Sequence, residues 1–195
     1  MPRLSPLSRE DLSEFEPVFQ LLEQAMGFIP SSMLTMGRDP ALLQAFAGLS
    51  GQILGPGRLD PGLKALISHV TSRAAACLYC QAHTAHTAHR NGVNEEKLRA
   101  SFEYETNPLF SEAERAALRL AHHAGLVPNA SEDAHFKALE AHYSAEEIVE
   151  IVAVISIFGF LNRWNDTMAT TLEPTARDFA ESNLAPNGWS VGKHA

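Results

Sequence analysis

Residues 60–92 read DPGLKALISHVTSRAAACLYCQAHTAHTAHRNG and contain the features that decide the fold. Asp60-Pro61 places a helix cap before a proline at the first helical position, and apolar residues follow at helical spacing up to an alanine run. A second helix is predicted from about Tyr79 to Asn91, because the Asn-Gly pair at its end is typical of a helix C-terminus. The tetrapeptide CLYC, residues 77–80, lies at the junction of these two helices.

Helix start signals recur along the rest of the chain. A capping residue precedes each run of apolar residues at helical spacing. No run alternates between apolar and polar residues, as a half-buried strand would. The predicted fold class is therefore all-α, a single-domain helical bundle. The start signals are at Ser8, Ser31, Asp39, Asn94, Ser111, Ser131 and Ser144, of which Ser111 and Ser144 have the pattern of a capping box.

The bundle is predicted to occupy residues 1–171 and to be followed by a C-terminal tail over residues 172–195. The tail contains Pro174, Pro186 and an Asn-Gly pair, and it has few apolar residues. We expect the tail to hold one short helix and to pack loosely.

The composition suits one globular domain with a buried core. Of the 195 residues, 45% are hydrophobic and 19% are charged. The only two cysteines lie in the CLYC tetrapeptide and could close only a tiny loop, so they cannot staple the fold as disulfides of small secreted domains do. The net charge of -8, from 15 Lys and Arg against 23 Asp and Glu, repels nucleic acids and anionic lipid surfaces. Neither is expected as a partner.

Neither the N-terminal residues nor the longest apolar run has the features of a targeting or membrane-spanning signal. The N-terminal MPRLSP lacks the apolar core of a secretory signal. The longest apolar run, Ile148 to Leu161, is interrupted by Glu150 and is shorter than the roughly 20 residues that span a bilayer. We therefore expect a cytoplasmic protein in which this run forms a buried helix.

Cys77 and Cys80 have the spacing of a redox pair. A step of three residues on a helix rotates by about 300° and rises by about 4.5 Å, so the two side chains lie on nearly one face, within reach of a disulfide. A helix that begins near Cys77 favours a thiolate, because free amide hydrogens and the helix dipole stabilise negative charge. A thiolate beside a second thiol can attack a peroxide or a disulfide and resolve the product internally. An imidazole can carry the proton, and His83 and His69 are the candidates.

Two other interpretations of these residues stay open. Cys77, Cys80, His83 and His86 together offer four zinc ligands. However, Cys77 and His86 lie about 180° apart around a helix and about 13.5 Å apart along it, which disfavours one shared ion. The cysteines could also be small apolar side chains in a helix interface. His86 and His89 are expected to be solvated or capping residues.

Residues 162–166, NRWND, form a polar cluster at the end of the apolar run. Arg163 and Asp166 have the i, i+3 spacing of an ion pair on a helix surface. Alternatively, the other members of the cluster line a pocket beside the thiols and donate hydrogen bonds to a bound peroxide or acyl oxygen; these members are Asn162, Trp164 and Asn165.

The stretch from Leu59-Asp60-Pro61 to Cys77-Leu78-Tyr79-Cys80-Gln81-Ala82-His83-Thr84 resembles the core of the alkylhydroperoxidase D and carboxymuconolactone decarboxylase superfamily, and in particular its uncharacterised peroxidase-related branch. Residues 27–43 are similar to the segment that precedes this core. The resemblance implies an all-α oligomeric fold, often a trimer or a multiple of trimers, with thiol peroxidase or disulfide reductase activity. It also implies that Cys80 forms the sulfenic acid, whereas Cys77 is the proton donor and resolving thiol.

The chain departs from the proton relay of that family at two positions. Thr84 stands where a relay histidine is common, with His83 one residue earlier, and Ala65 stands where a relay glutamate is usual. On one straight helix His69 would lie about 16 Å from the second cysteine. It can therefore approach the thiols only if the chain turns back near Ala76.

We predict a thiol-dependent peroxidase with an antioxidant role, in which Cys80 attacks and Cys77 closes the disulfide. His83 or His69 manages the proton, and a carboxylate such as Glu150 is a further group that could reach the pocket of the two thiols. The substrate is a hydroperoxide, the reductant is a dithiol partner or a small thiol, and neither an organic cofactor nor a metal is required. We expect a homo-oligomer, either a dimer, a trimer or a hexamer. The alternatives are a carboxymuconolactone decarboxylase-like enzyme, whose chemistry needs no CxxC, and a non-catalytic redox-sensing protein.

Overall fold

The computed structural model describes residues 1–195 and consists of α-helices and short 3-10 turns, without a β-strand. The prediction of an all-α fold is confirmed. The helices are α1 (Glu16–Met26), α2 (Ser31–Met36), α3 (Pro40–Leu54), α4 (Pro61–Ala74), α5 (Leu78–Arg90), α6 (Glu95–Arg99), α7 (Glu112–Gly125), α8 (Asp133–Glu140), α9 (Ala145–Met168) and α10 (Pro174–Asn183). The 3-10 turns are Glu10–Phe15, Ala100–Glu103, Ala185–Asn187 and Gly192–His194.

Helices α4 and α5 form the centre of the bundle and are joined by a tight turn. Each begins at its predicted position: the Asp60 side chain accepts a hydrogen bond from the first turn of α4 at 3.0 Å, and Cys77 caps α5. Ala76 adopts a left-handed conformation with a φ of 55°, and the Cys77 amide donates to the Ser72 carbonyl at 3.1 Å. The chain therefore turns back at Ala76, which is the condition for His69 to approach α5.

Three further helices enclose this central pair. α4 packs against α7 and α9, and α5 packs against α9 and α10. The predicted capping boxes are present at the starts of α7 and α9, where Ser111 and Ser144 exchange hydrogen bonds with Glu114 and Glu147. The inward-facing apolar side chains form one continuous core, whose fully buried members include Phe19, Leu66, Ile67, Leu118 and Ile151.

Three helix starts differ from the predicted ones. The cap residue of α2 is Pro30 rather than Ser31, and no side chain accepts a hydrogen bond at that cap. The segment after Ser8 begins as a 3-10 turn, and α1 follows with Pro17 in its first turn, where the missing amide hydrogen of proline costs nothing. The cap residue of α8 is Glu132 rather than Ser131. The Ser131 hydroxyl instead donates to the side-chain oxygen of Asn129 at 2.6 Å.

The C-terminal segment packs tightly rather than loosely. Its short helix is present as α10, and both Trp189 and His194 beyond it are buried. Trp189 Nε1 donates to the Leu78 carbonyl at 3.0 Å, and the His194 ring lies 5.8 Å from the Tyr79 ring between centroids. The apolar residues of this segment are few, but the largest of them lies directly on α5.

Helix α9 carries the apolar run that was predicted to be buried, and it has two apolar faces. The inner face is buried through Ile151, Val154 and Phe158. The other face remains exposed through Val149, Val152 and Phe160, whose exposed fractions are 68, 38 and 39%. None of the helices combines the length and apolar character needed to cross a membrane.

Candidate active site

Cys77 and Cys80 lie at the N-terminus of α5 and are both free and buried. Cys77 is the cap residue, and its sulfur accepts a hydrogen bond from the Cys80 amide at 3.4 Å. The helix therefore presents an unpaired amide hydrogen and the positive end of its dipole to the Cys77 sulfur. This arrangement stabilises a thiolate at that atom.

The two thiols differ in acidity. The pKa of Cys77 lies below its ordinary value because the sulfur accepts a hydrogen bond from the Cys80 side chain, which outweighs the opposing effect of burial. Burial raises the pKa of Cys80 well above its ordinary value, and the neighbouring Cys77 raises it further. Of the two thiols, Cys77 is therefore the one whose surroundings favour the thiolate. This order is the reverse of the one that the family resemblance implies.

Helix α9 supplies an amide side chain to the thiols. Asn165 Nδ2 donates to the Cys80 sulfur at 3.4 Å. The Asn165 oxygen and both polar atoms of Asn162 are buried without a protein partner. Trp164 instead lines an outer groove together with Phe160. Of the three residues predicted to line a pocket beside the thiols, Asn165 is the one that reaches a sulfur.

The predicted surface ion pair between Arg163 and Asp166 is not formed. Arg163 donates to the Gly159 carbonyl one turn earlier at 3.0 Å. Asp166 pairs with Lys193 of the C-terminal segment at 2.8 Å. The tail brings this lysine to α9, and the prediction was wrong because it considered α9 alone.

His83 pairs with a carboxylate that sequence reasoning missed. Its Nε2 contacts the Glu173 carboxylate, which also accepts a hydrogen bond from the Ser31 amide. The Tyr79 hydroxyl donates to the same carboxylate at 3.0 Å. Burial acts to raise the pKa of Glu173, but the His83 charge and the hydrogen bonds outweigh it and hold the pKa at about 2. Glu173 is therefore an anion that orients the imidazole.

One signal in the sequence pointed toward Glu173. The residue directly precedes Pro174, and the pair has the form of a helix start. Glu173 is indeed the cap residue of α10. However, 90 residues separate it from His83, and no local pattern indicates a contact at that distance.

His69 faces α5 but bonds to residues other than the cysteines. Its Nδ1 lies 3.2 Å from both the Gln81 carbonyl and the Thr84 hydroxyl. Complete burial, with the nearby Arg73 charge, lowers the pKa of His69 to about 3. His69 is therefore neutral, and it takes up the space around Thr84, where the family commonly has a histidine.

His194 is a second histidine near the thiols that the sequence did not indicate. Its Nδ1 lies 2.8 Å from the Thr170 carbonyl, and its Nε2 lies 3.9 Å from Asp166 Oδ1. Ligand atoms of Cys77, Asp166 and His194 lie within 4.8 Å of one another. His194 is the second residue from the C-terminus, in a segment predicted to pack loosely.

The remaining candidates are engaged elsewhere. Glu150 pairs with Lys64 at 2.5 Å, so the carboxylate that reaches a candidate histidine is Glu173 instead. His86 is buried between aromatic rings rather than solvated, while His89 is exposed and lies 3.9 Å from Glu95. The four zinc ligands considered on α5 do not converge on one point.

Comparisons with known proteins agree with this architecture. Residues 40–123 match the carboxymuconolactone decarboxylase family. The uncharacterized protein YnjA of Escherichia coli is 31% identical over 168 residues, which cover 85% of this chain and 91% of YnjA. The solved structure of the debrominase Bmp8 is 42% identical with a TM-score of 0.86, and the match covers 91% of this chain and 96% of Bmp8.

Two further solved structures are similar. A cysteine-to-alanine variant of Bmp8 in complex with 2,3,4-tribromopyrrole is 41% identical with a TM-score of 0.87, over 92% of this chain and 96% of the other. An uncharacterized peroxidase-related protein of Ralstonia eutropha with an alkylhydroperoxidase D core is 22% identical with a TM-score of 0.73, over 89% of this chain and 90% of the other. This chain belongs to the carboxymuconolactone decarboxylase family and has the alkylhydroperoxidase D fold, as its sequence predicted.

Proposed function

We propose that this chain is a dithiol-dependent reductase in which Cys77 attacks an electrophilic substrate and Cys80 closes the disulfide. One observation carries the proposal: the Cys77 sulfur caps α5 and accepts the Cys80 amide hydrogen at 3.4 Å, with the second thiol one turn along the same helix. Such a sulfur is poised as a thiolate, and its neighbour is placed to resolve the product. The proposal reverses the roles that the family resemblance implied for the two cysteines.

Similarity to Bmp8 favours a halogenated heteroaromatic ring as the substrate. Bmp8 is a debrominase, and it is 41–42% identical to this chain over more than nine-tenths of its length. The peroxidase-related structure, at 22% identity, supports the fold alone. We therefore infer reductive debromination of a small brominated ring such as a bromopyrrole.

The thiol pair supplies both electrons of this reaction. The Cys77 thiolate takes bromine from a ring carbon, so the C–Br bond breaks, an S–Br bond forms and the carbon takes up a proton. The Cys80 thiol then attacks the Cys77 sulfur, which forms the disulfide and releases bromide and a proton. The sum is R–Br and two thiols giving R–H, one disulfide and HBr. An external dithiol or small thiol reduces the disulfide for the next turnover.

The proton for the ring carbon is assigned to His83. This residue follows Cys80 by three positions on α5, and a step of three residues returns to nearly the same helix face. The anionic Glu173 fixes its ring, and the Tyr79 hydroxyl fixes Glu173 in turn. A histidine with an oriented carboxylate partner is suited to general acid and base catalysis.

Hydroperoxide reduction is a second candidate that uses the same pair. The Cys77 thiolate would attack the outer oxygen, breaking the O–O bond and releasing the alcohol after protonation. The Cys80 thiol would then displace water from the resulting sulfenic acid as the disulfide forms. The Asn165 side chain, which donates to the Cys80 sulfur, favours this candidate because an amide beside the thiols can also bind a peroxide oxygen.

A parallel turnover assay tests both candidates. The reduced chain is supplied with a dithiol and either a brominated pyrrole or an organic hydroperoxide, and bromide release or peroxide consumption is measured. We expect Cys77→Ser to lose about a hundredfold or more of the rate. His89→Gln, an exposed histidine on the same helix, should retain the wild-type rate and serves as the control.

The cysteine variants also separate the alternatives. If both Cys77→Ser and Cys80→Ser keep the wild-type rate, the proposal fails. A lactone that is decarboxylated at equal rates by the wild type and by both serine variants would instead favour a decarboxylase, whose chemistry needs no thiol. If the disulfide forms while neither substrate turns over, the chain acts as a redox sensor.

A further inference from the structure

His194 directs a free nitrogen lone pair into the protein. Its Nδ1 faces the Thr170 carbonyl at 2.8 Å, and because a carbonyl can only accept, Nδ1 must carry the hydrogen. The neutral ring therefore has an unprotonated Nε2. The side chain is fully buried and Nε2 has no hydrogen-bond partner, so a strong acceptor is left without a donor in the protein interior.

Two other ligand atoms face the same point. The Cys77 sulfur, a carboxylate oxygen of Asp166 and a ring nitrogen of His194 lie within 4.8 Å of one another. They come from the cap of α5, the last turn of α9 and the final 3-10 turn. Residues distant in sequence thus converge, whereas the four candidate ligands along α5 do not.

We propose that Cys77, Asp166 and His194 form a binding site for Zn²⁺. The proposal holds whichever substrate the thiol pair reduces. Zinc binds thiolate, imidazole and carboxylate ligands at about 2.0 to 2.3 Å in a tetrahedron, with water in an open fourth position. Such ligand atoms lie about 3.5 Å apart. The observed 3.9 Å between His194 Nε2 and Asp166 Oδ1 is close to that value. Thiolate and imidazole exclude Mg²⁺ and Ca²⁺, which prefer oxygen ligands.

Lys193 competes with the metal for Asp166. Its ammonium group lies 2.8 Å from Asp166 Oδ1, and both side chains are nearly half exposed. An exposed ion pair of this kind is weak, and the flexible lysine can swing into solvent. Zinc therefore replaces Lys193 at the carboxylate, and removal of the lysine should tighten zinc binding.

Zinc at this site would hold the thiol pair inactive. Binding holds Cys77 as a zinc thiolate. The sulfur lone pair then bonds to the metal and is no longer available to attack a substrate. Cys80 is outside the ligand set, so a disulfide between Cys77 and Cys80 removes the thiolate ligand and prevents zinc binding.

Metal analysis of the full reduced chain tests the proposal. The protein is dialysed against micromolar Zn²⁺, the bound metal is counted by mass spectrometry, and affinity is measured against a chromophoric chelator. We expect one zinc ion per chain in the wild type, and an affinity about tenfold or more weaker in Cys77→Ser, Asp166→Asn and His194→Gln. Cys80→Ser and His89→Gln should bind zinc as the wild type does. Protein oxidised with diamide, which takes two electrons and two protons from the thiols, should bind none.

A variant that binds zinc more tightly than the wild type must be folded, so it tests the site without the risk that a loss of binding reflects unfolding. Lys193→Met keeps the ligand set and removes the competing ammonium, so it should bind zinc about two- to fivefold more tightly. Absence of zinc from the wild-type chain overturns the proposal, as does equal loss of binding in Cys80→Ser and Cys77→Ser. An affinity unchanged in Lys193→Met also contradicts it. Because these readouts do not involve turnover, they remain valid whether or not the reductase activity is found.

Discussion

Cys77 and Cys80 carry the same functional group one helical turn apart, and their surroundings make them chemically different. Cys77 lies at the start of α5, where the Cys80 amide hydrogen has no partner within the helix and bonds to the Cys77 sulfur. Cys80 is enclosed by α5 and α9 and receives its hydrogen bond from Asn165. A thiolate is therefore favoured at the first position and a thiol at the second. The division of labour in the proposed reaction follows from this difference of a few ångströms.

Glu173 gives a residue-scale prediction for stability in acid. Its pKa of about 2 lies below the ordinary 4.5, so its stabilising effect is complete above pH 4.5 and is lost as the pH falls toward 2. Glu173→Gln should be less stable than the wild type by up to about 3 kcal/mol at pH 7, and the gap should close as the pH falls. Urea unfolding at several pH values measures the gap. Glu181→Gln, an exposed carboxylate on α10, is the control, and a gap that does not change with pH would contradict the assignment.

Individual site residues were predictable only where local chemistry identifies them. The cysteine pair stands out because two thiols share one helical turn, and His83 follows on the same helix. Glu173 and His194 could not be identified in this way, because they reach α5 only through the folding of the C-terminal segment. Ala65 stands where the family usually has a relay glutamate, and the carboxylate beside His83 comes instead from Glu173 on a different element. The position of Ala65 in the sequence gives no information about that replacement.

At the scale of elements, the turn between α4 and α5 sets the site. Cap and proline signals predicted both helices well, because these are local effects of backbone hydrogen bonding. The turn at Ala76 was not predicted and appeared only as the condition for His69 to approach α5. It could not be predicted because alanine rarely adopts this left-handed conformation, which usually requires glycine. With this turn, His69 packs against α5 and Cys77 occupies the cap.

Substitutions at Ala76 test the role of this turn. The side chain is exposed, so valine meets no crowding, but a β-branched residue is disfavoured at a φ of 55°. Ala76→Val should therefore lower the free energy of unfolding, because the β-branched side chain adds steric strain that alanine does not have. Ala76→Gly relieves the strain and should leave stability unchanged or raise it by up to about 1 kcal/mol. Equal effects of both variants in chemical denaturation would show that the backbone conformation does not matter.

The C-terminal segment is an integral element of the site, and substitutions at Trp189 test how strongly this segment packs against α5. Trp189→Phe keeps a ring on α5 but removes the hydrogen bond to the Leu78 carbonyl, so we expect a loss of about 1 kcal/mol. Trp189→Ala also removes the buried ring and should cost about 3 to 5 kcal/mol. Thermal unfolding of both variants gives the comparison. A Trp189→Ala variant as stable as the wild type would mean that this segment packs loosely in solution.

For the whole molecule, the outer face of α9 predicts self-association. Val149, Val152 and Phe160 leave an exposed apolar strip on a helix whose opposite face is buried. We expect two or more copies of the chain to cover this strip, and a Val152→Glu, Phe160→Glu double variant to sediment at a lower mass than the wild type. Val127→Glu is the control, because Val127 is also apolar and exposed but lies in a loop. A monomeric wild type in analytical ultracentrifugation would contradict the prediction.

The proposed chemistry rests on the order in which the two thiols act, and a single-turnover experiment with each serine variant tests that order most directly. Reduced Cys77→Ser and Cys80→Ser are each mixed with one equivalent of a brominated pyrrole or an organic hydroperoxide, and the modified residue is located by mass spectrometry. We predict that Cys80→Ser reacts once and carries the oxidised sulfur on Cys77, whereas Cys77→Ser stays unmodified. Oxidation of Cys80 in Cys77→Ser, with an inert Cys80→Ser, would contradict this account and restore the order implied by the family resemblance.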